Sequence, residues 1–212
     1  DQKLAKAGED YVAFVGSDFV KEGRICGEIC AKVMNGNAKI IELQGTTGSS
    51  PAIDRGKGFA QAISSHSGMK IVASQSGDFA RDKGRQVFET LYQSHPEADL
   101  VYSHNDEMTM GAIAALQAAG KVPGKDVMLA TIDGTVDAAK AVMSGKAIVC
   151  VECSPKFGPK AFELIKRLAN GEKIPTIVGN IDRVFTKDNP KWVRDKYGDL
   201  AWKAEDYLPE AF

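Results

Sequence analysis

The sequence predicts an α/β fold: a doubly wound sandwich, its mostly parallel sheet covered by helices on both faces. Two observations carry this expectation. Short apolar runs alternate with longer segments whose apolar residues recur at helical spacing, and the rhythm holds from residue 11 to residue 153. The strand-to-helix junctions also carry the polar residues and glycines of βα turns. Parallel crossovers are right-handed, which restricts such a chain to a doubly wound topology.

Taken in order, residues 1–10 (DQKLAKAGED) are charged and irregular and read as a lead-in. Tyr11-Val12-Ala13-Phe14-Val15 reads as a strand closed by Gly16-Ser17-Asp18. A helix from about residue 19 to 35 ends at Asn35-Gly36-Asn37, a left-handed C-terminal signal. Residues 38–43 form the next strand, which leads through a Gly/Thr/Ser loop into a helix opened near Pro51 and running to about 65. Residues 69–73 are a third strand, followed by Ser76-Gly77-Asp78-Phe79 and a helix to about 94.

The apolar run 100–102 reads as a buried strand ending on polar His104 and Asn105. Asp106 is placed to cap the next helix, in which Met108, Ala112, Ala115 and Leu116 keep helical spacing up to Gly120. Residues 127–132 are a strand ending in Asp133-Gly134-Thr135, with a helix to 143, and 147–153 are another strand. After Ser154-Pro155 a helix over about 158–169 is followed by Gly171, Pro175 and a short strand near 180–185. The tail, 187–212, carries Trp192, Tyr197, Trp202 and Tyr207, a density of aromatics that predicts a strap across the domain surface.

At 212 residues the chain can bury a sizeable core. It is 43% hydrophobic and 26% charged with a formal net charge of −1, so its electrostatics point to neither nucleic acid nor an anionic membrane as partner. No apolar run approaches the roughly 20 residues of a membrane span. Cys26 and Cys30 lie one turn apart beside Ile25, Ile29, Val33 and Met34, which reads as an apolar helix face. Together with Cys150 and Cys153 they fit no zinc-finger spacing and have no histidine nearby, while disulfide pairing is left open. The loop 45–50 lacks the Lys-Ser/Thr of a P-loop and does not match G-x-G-x-x-G, so no nucleotide or other cofactor is expected. Ser49 and Ser50 have no evident base, His66 and His95 read as loop residues, and no carboxylate pair stands in an acid/base arrangement. The chain is therefore not expected to be an enzyme.

In a parallel sheet the strand tips share one edge, where ligands bind. The tips here are Gln44-Gly45-Thr46, Asp78-Phe79, His104-Asn105-Asp106 and Asp133-Gly134-Thr135, with Arg55 on the helix after the second strand. They bring one cation (Arg55), one carboxylate (Asp133), one amide (Asn105) and one aromatic face (Phe79). Forked donors and acceptors suit vicinal hydroxyls, and a flat apolar face suits the C–H side of a sugar ring. Each residue also has a plainer role: Asp133 as an N-cap, Arg55 as a solvated surface residue, Phe79 as core, Asn105 as turn chemistry. The expectation is that all four face one hollow and take a neutral polyhydroxylated ligand.

The run Ile41-Glu42-Leu43-Gln44-Gly45 through Ala52-Ile53-Asp54-Arg55-Gly56-Lys57-Gly58-Phe59 resembles the solute-binding proteins of sugar ABC transporters. So do Ser74-Gln75-Ser76-Gly77-Asp78-Phe79, His104-Asn105-Asp106-Glu107-Met108 and Ile132-Asp133-Gly134-Thr135. Within that superfamily, which includes the ribose-binding proteins, the chain is most similar to the galactofuranose/galactose-binding branch, over about residues 11–185. The resemblance implies a periplasmic-binding-protein-like I fold, in which two doubly wound lobes close on a sugar. This chain then corresponds mainly to the C-terminal lobe. Residues 1–10 would be a lead-in or hinge remnant of the N-terminal lobe, and 11–153 the C-terminal sugar-binding lobe. Residues 154–179 would be a returning segment of the N-terminal lobe, and 180–212 the final strand and strap.

By the same resemblance, Arg55 donates to a hydroxyl or ring oxygen, Phe79 forms a wall, Asn105 pairs with a hydroxyl, and Asp133 is a bidentate acceptor. The family's last ligand, a glutamine in the ribose binders, falls on Cys153, which implies a sugar other than ribose. Its Asp-Arg pair falls on Asp1-Gln2, so Asp1 is retained and the arginine is absent. The implied function is a periplasmic protein that delivers a neutral monosaccharide, galactose- or galactofuranose-like, to an ABC transporter permease in the inner membrane. The alternative is the effector-binding core of a Lac-repressor-type regulator, which shares the fold; the Glu42-Leu43-Gln44-Gly45 run favours transport. With most of the N-terminal lobe outside this sequence, the apolar face of the 158–169 helix (Ala161, Phe162, Leu164, Ile165, Leu168) is expected to lie bare or under a second chain.

Overall fold

The computed structural model describes residues 5–210. Strand β1 (Phe14–Gly16) and helix α1 (Phe19–Val33) are followed by β2 (Asn37–Gln44), α2 (Ser50–Ile63), β3 (Gly68–Ser76) and α3 (Arg81–Ser94). Next come β4 (Leu100–Ser103), α4 (Asp106–Ala118), β5 (Met128–Asp133), α5 (Val136–Met143) and β6 (Val149–Glu152). The remainder holds α6 (Gly158–Ala169), β7 (Ile177–Gly179), β8 (Val184–Thr186), α7 (Lys191–Tyr197), β9 (Ala201–Lys203) and α8 (Ala204–Tyr207).

Among the described residues, seven strands form one sheet in the order β3-β2-β4-β5-β6-β8-β9. Pairing is parallel from β3 through β6; β8 runs antiparallel to β6, and β9 parallel to β8. Strands β1 and β7 pair in parallel as a separate two-stranded sheet, Phe14 opposite Ile177. The pleat alternates side chains between faces, so Ile40 and Ile41 enter different cores. One core packs Ile25, Ile29, Phe59 and Ile63 of α1 and α2 on the sheet; the other packs Phe88, Met108, Ala112 and Val142 of α3, α4 and α5. This is the expected doubly wound sandwich.

Local chemistry explains most boundaries. Helix α1 ends where Asn35 (φ 52°) and Gly36 (φ 71°) turn left-handed, and Pro51 sits in the first turn of α2. Three expectations need correction. Asp106 is not the cap of α4 but its first residue; the cap is Asn105, whose side chain accepts from the Met108 N–H at 3.1 Å. The single strand expected near 180–185 is two, β7 and β8, in different sheets. The strand expected at 11–15 begins only at Phe14. In both cases a short apolar run shows that extended chain is favoured, but its pairing partner comes from elsewhere in the fold. Cys26, Cys30, Cys150 and Cys153 are all free thiols.

In the tail, Trp192 and Tyr197 pack against the α1/α2 core and Trp202 against the other. Tyr207 is fully buried, stacked on Phe185 with ring centroids 3.6 Å apart.

Candidate functional site

The close approach of α1 to α2 builds the floor of the site. A Cβ on Gly23 would collide with the backbone oxygen of Arg55, and one on Gly58 with that of Val20. Only because both positions are glycine can the two backbones lie in contact, and this sets the first turn of α1 beside Arg55. There Glu22 accepts from Arg55 Nε at 2.8 Å, and the Phe19 ring lies 5.4 Å from the guanidinium carbon. The guanidinium also donates through Nη1 to the backbone oxygen of His104 at 2.6 Å and through Nη2 to Asp133 Oδ1 at 3.1 Å. Its own backbone oxygen accepts from the Tyr102 hydroxyl at 3.2 Å. Arg55 is thus 3% exposed and is not a solvated surface residue.

Asp133 closes β5 with φ at 130°, and the cap of α5 is Thr135 rather than Asp133. Asp106 holds this turn. Fully buried, its carboxylate accepts from the backbone N–H groups of Gly134 (2.9 Å) and Thr135 (2.7 Å) and from the Thr131 hydroxyl (2.7 Å). The Cys153 N–H donates to the Asp133 backbone oxygen at 3.0 Å. On the other side, Asn105 donates from its amide nitrogen to the Phe79 backbone oxygen at 3.1 Å. Asp78 and Phe79 both have positive φ (53° and 60°), and a Cβ on Gly45 would collide with the Phe79 ring.

Arg55, Phe79, Asn105, Asp133 and Cys153 therefore lie along one continuous hydrogen-bonded rim at the carboxyl ends of the parallel strands. Phe79, Asp133 and Cys153 are partly exposed, with Arg55 and Asn105 buried behind them. Asn105 does serve as turn chemistry, yet capping and the Phe79 contact leave it one amide N–H and one oxygen lone pair. Asp1 lies outside the described residues. A separate concavity of about 510 Å³ is lined by Glu42, Gln44, Gly45, Thr47, Ile53 and Lys57 and by none of the five rim residues.

Burial raises the carboxyls of both Glu22 and Asp133 to about 7 despite the opposing charge of Arg55. Burial also works against the charge of Arg55, but Glu22 and Asp133 outweigh it and hold the guanidinium protonated. Burial and the Glu22 charge push the Cys153 thiol up to about 12, so it is a neutral group. Behind the rim, His104 is fully buried, its Nδ1 accepting from the Gly45 N–H at 3.3 Å and its Nε2 3.1 Å from Glu42 Oε1. Burial opposes ionisation of Glu42, yet hydrogen bonds from His104 and Ser74 hold its carboxyl below the usual range.

Glu22, Asp106 and the Glu42–His104 pair were not singled out as site groups by the sequence. The one available signal for Glu22 was the small-residue spacing of Gly23 and Gly27 in α1, opposite Gly58 in α2. Among the described residues, no group of three or more His, Cys, Asp or Glu could hold a metal ion, and no helix is long and apolar enough to cross a membrane.

Comparison with known proteins places this geometry in a family. Residues 1–173 match the periplasmic binding protein domain. The galactofuranose-binding protein YtfQ of Escherichia coli (strain K12) is 41% identical over 169 residues, covering 78% of this chain and 53% of the relative. The ribose import binding protein RbsB of the same organism is 42% identical over 173 residues, covering 81% and 57%. This chain thus spans about half the length of the curated relatives it matches. A Mycobacterium smegmatis protein solved in complex with β-D-fucofuranose superposes with a TM-score of 0.84 at 39% identity, covering 97% of this chain and 64% of that one. The arabinose-transporter binding protein of Shewanella sp. ANA-3, solved with α- and β-L-arabinofuranose, gives 0.83 at 34%, covering 98% and 68%. The chain belongs to the periplasmic binding protein domain family.

Proposed function

We propose that this chain supplies one wall of the sugar site of a periplasmic ABC-transporter binding protein, taking a neutral monosaccharide of the galactofuranose or galactose type. The observation that carries this reading is the rim itself. Asp133 offers a carboxylate to paired hydroxyls, Arg55 keeps two of its five N–H groups beyond its three bonds, and the partly exposed Phe79 ring, packed on the core and against Gly45, stands at the same rim. The relatives solved with furanoses support the substrate class, and Cys153 at the position of the ribose binders' glutamine supports a sugar other than ribose. Residues 154–179 are assigned to the companion lobe, which brings the second wall when the hinge closes and then presents the complex to a membrane permease. Ligand favours the closed state by its differential affinity for it. The protein works as a carrier rather than a catalyst.

One wall buries half a sugar, so titration calorimetry of these 212 residues with D-galactose or L-arabinose is expected to give dissociation constants on the order of millimolar or weaker. Asp133→Ala removes that signal. Micromolar binding by this chain would sink the half-site reading, and unchanged binding by Asp133→Ala would remove the rim from it.

A further inference from the structure

We propose that Glu22 is the positioning residue of the sugar site: by taking Arg55 Nε it keeps Asp133 from closing on the guanidinium and leaves a carboxylate oxygen for the ligand. The proposal rests on the sugar-binding reading of the same rim. A buried guanidinium facing one carboxylate tends to form a bidentate pair, which satisfies both groups and leaves little to offer a hydroxyl. Here the Nε position is already filled. Glu22 Oε2 accepts from it at 2.8 Å, and Asp133 is reached only through Nη2, at Oδ1. Asp133 Oδ2 accepts no hydrogen bond from the described residues.

Glu22 is 1% exposed and supplied by a different element from either partner, and beside Arg55 its carboxyl also meets the Cys153 thiol. A carboxylate buried this deeply is costly, and the ion pair with Arg55 is what makes it tolerable. A core position without function would be better served by an apolar side chain. Phe19, one turn earlier on α1, covers the guanidinium at 5.4 Å and limits its motion. The first turn of α1 therefore fixes both the direction and the tilt of the ligand donor on α2.

The test uses the full chain labelled with nitrogen-15, reading the Arg55 Nε–H resonance, its hydrogen exchange, and D-galactose affinity. Glu22→Gln keeps the shape and removes the charge. With the circular dichroism spectrum retained, it is expected to move the Nε–H resonance, speed its exchange and weaken galactose binding about tenfold, as loss of an orienting partner does elsewhere. An unmoved resonance overturns the proposal. So does a folded variant that loses stability but binds galactose as the wild type does, since that marks Glu22 as structural only. If Glu22→Gln fails to fold, the wild-type chain decides: an Arg55 Nε–H exchanging as fast as those of surface arginines overturns the proposal, and a protected one supports it. A wild-type chain that binds none of the sugars sinks the functional reading alone, and the Arg55 signal still judges whether Glu22 holds the guanidinium.

Discussion

Two carboxylates share one buried guanidinium at the centre of this rim, and that ratio governs how the site responds to pH. Glu22 and Asp133 have ordinary values of 4.5 and 3.8 and are raised to about 7 in the fold by burial. The folded chain then holds protons that the unfolded chain releases. The stabilising contribution is complete below pH 4 and is lost as pH rises through about 7. Glu22 faces Arg55 from α2, Asp133 from β5, Cys153 after β6 and Asp182 between β7 and β8, so its titration reports the whole cluster. Denaturant unfolding from pH 4.5 to 7 is expected to show a shallower fall in stability for Glu22→Gln than for the wild type. Parallel profiles would mean that Glu22 does not titrate in that window.

Helix contact decides whether those residues meet at all. Gly23 and Gly58 let α1 and α2 touch through their backbones, and that contact carries Glu22 and Phe19 to Arg55. Gly23→Ala places a methyl group against the Arg55 backbone oxygen. Overpacking of this kind costs on the order of 1–3 kcal/mol, against the roughly 1 kcal/mol gained from replacing glycine with alanine in a helix interior. The net expectation is a destabilisation of up to about 2 kcal/mol in urea, with sugar binding weakened further because Arg55 is displaced. A stabilisation of about 1 kcal/mol, the full helix-propensity gain, would show that the helices separate at no cost. The same logic applies to the Asp133 turn, whose geometry depends on buried Asp106 of α4 as well as on its own Gly134 and Thr135.

Across the whole molecule, the seven-stranded sandwich is covered on both faces while α6 is not. Phe162 is 68% exposed and Ile165 58%, Ile177 and Ile181 in and after β7 are similarly exposed, and only Leu164 of α6 is buried. An apolar surface of this kind marks contact with something further, as the proposed placement of 154–179 in a companion lobe would require. Phe162→Ser removes little burial, so its melting temperature is expected to stay within about 2 °C of wild type, and its retention on size-exclusion chromatography is expected to shift only towards the monomer. A drop of many degrees would show that Phe162 is packed in solution.

What the sequence determined by itself was everything that follows from local periodicity and turn chemistry. The order of strands and helices as far as α6, the left-handed end of α1 and the Pro51 start of α2 were all legible there. So was the grouping of Arg55, Phe79, Asn105 and Asp133 at one sheet edge, because a parallel sheet sends every strand tip to the same side. What only the tertiary structure decided was pairing between distant segments: β7 with β1 and β8 with β6, Glu22 with Arg55, Asp106 with the Asp133 turn, and Glu42 with His104. Those contacts depend on how closely two backbones approach and on how much water is excluded. Neither quantity is carried by the neighbours of a residue along the chain.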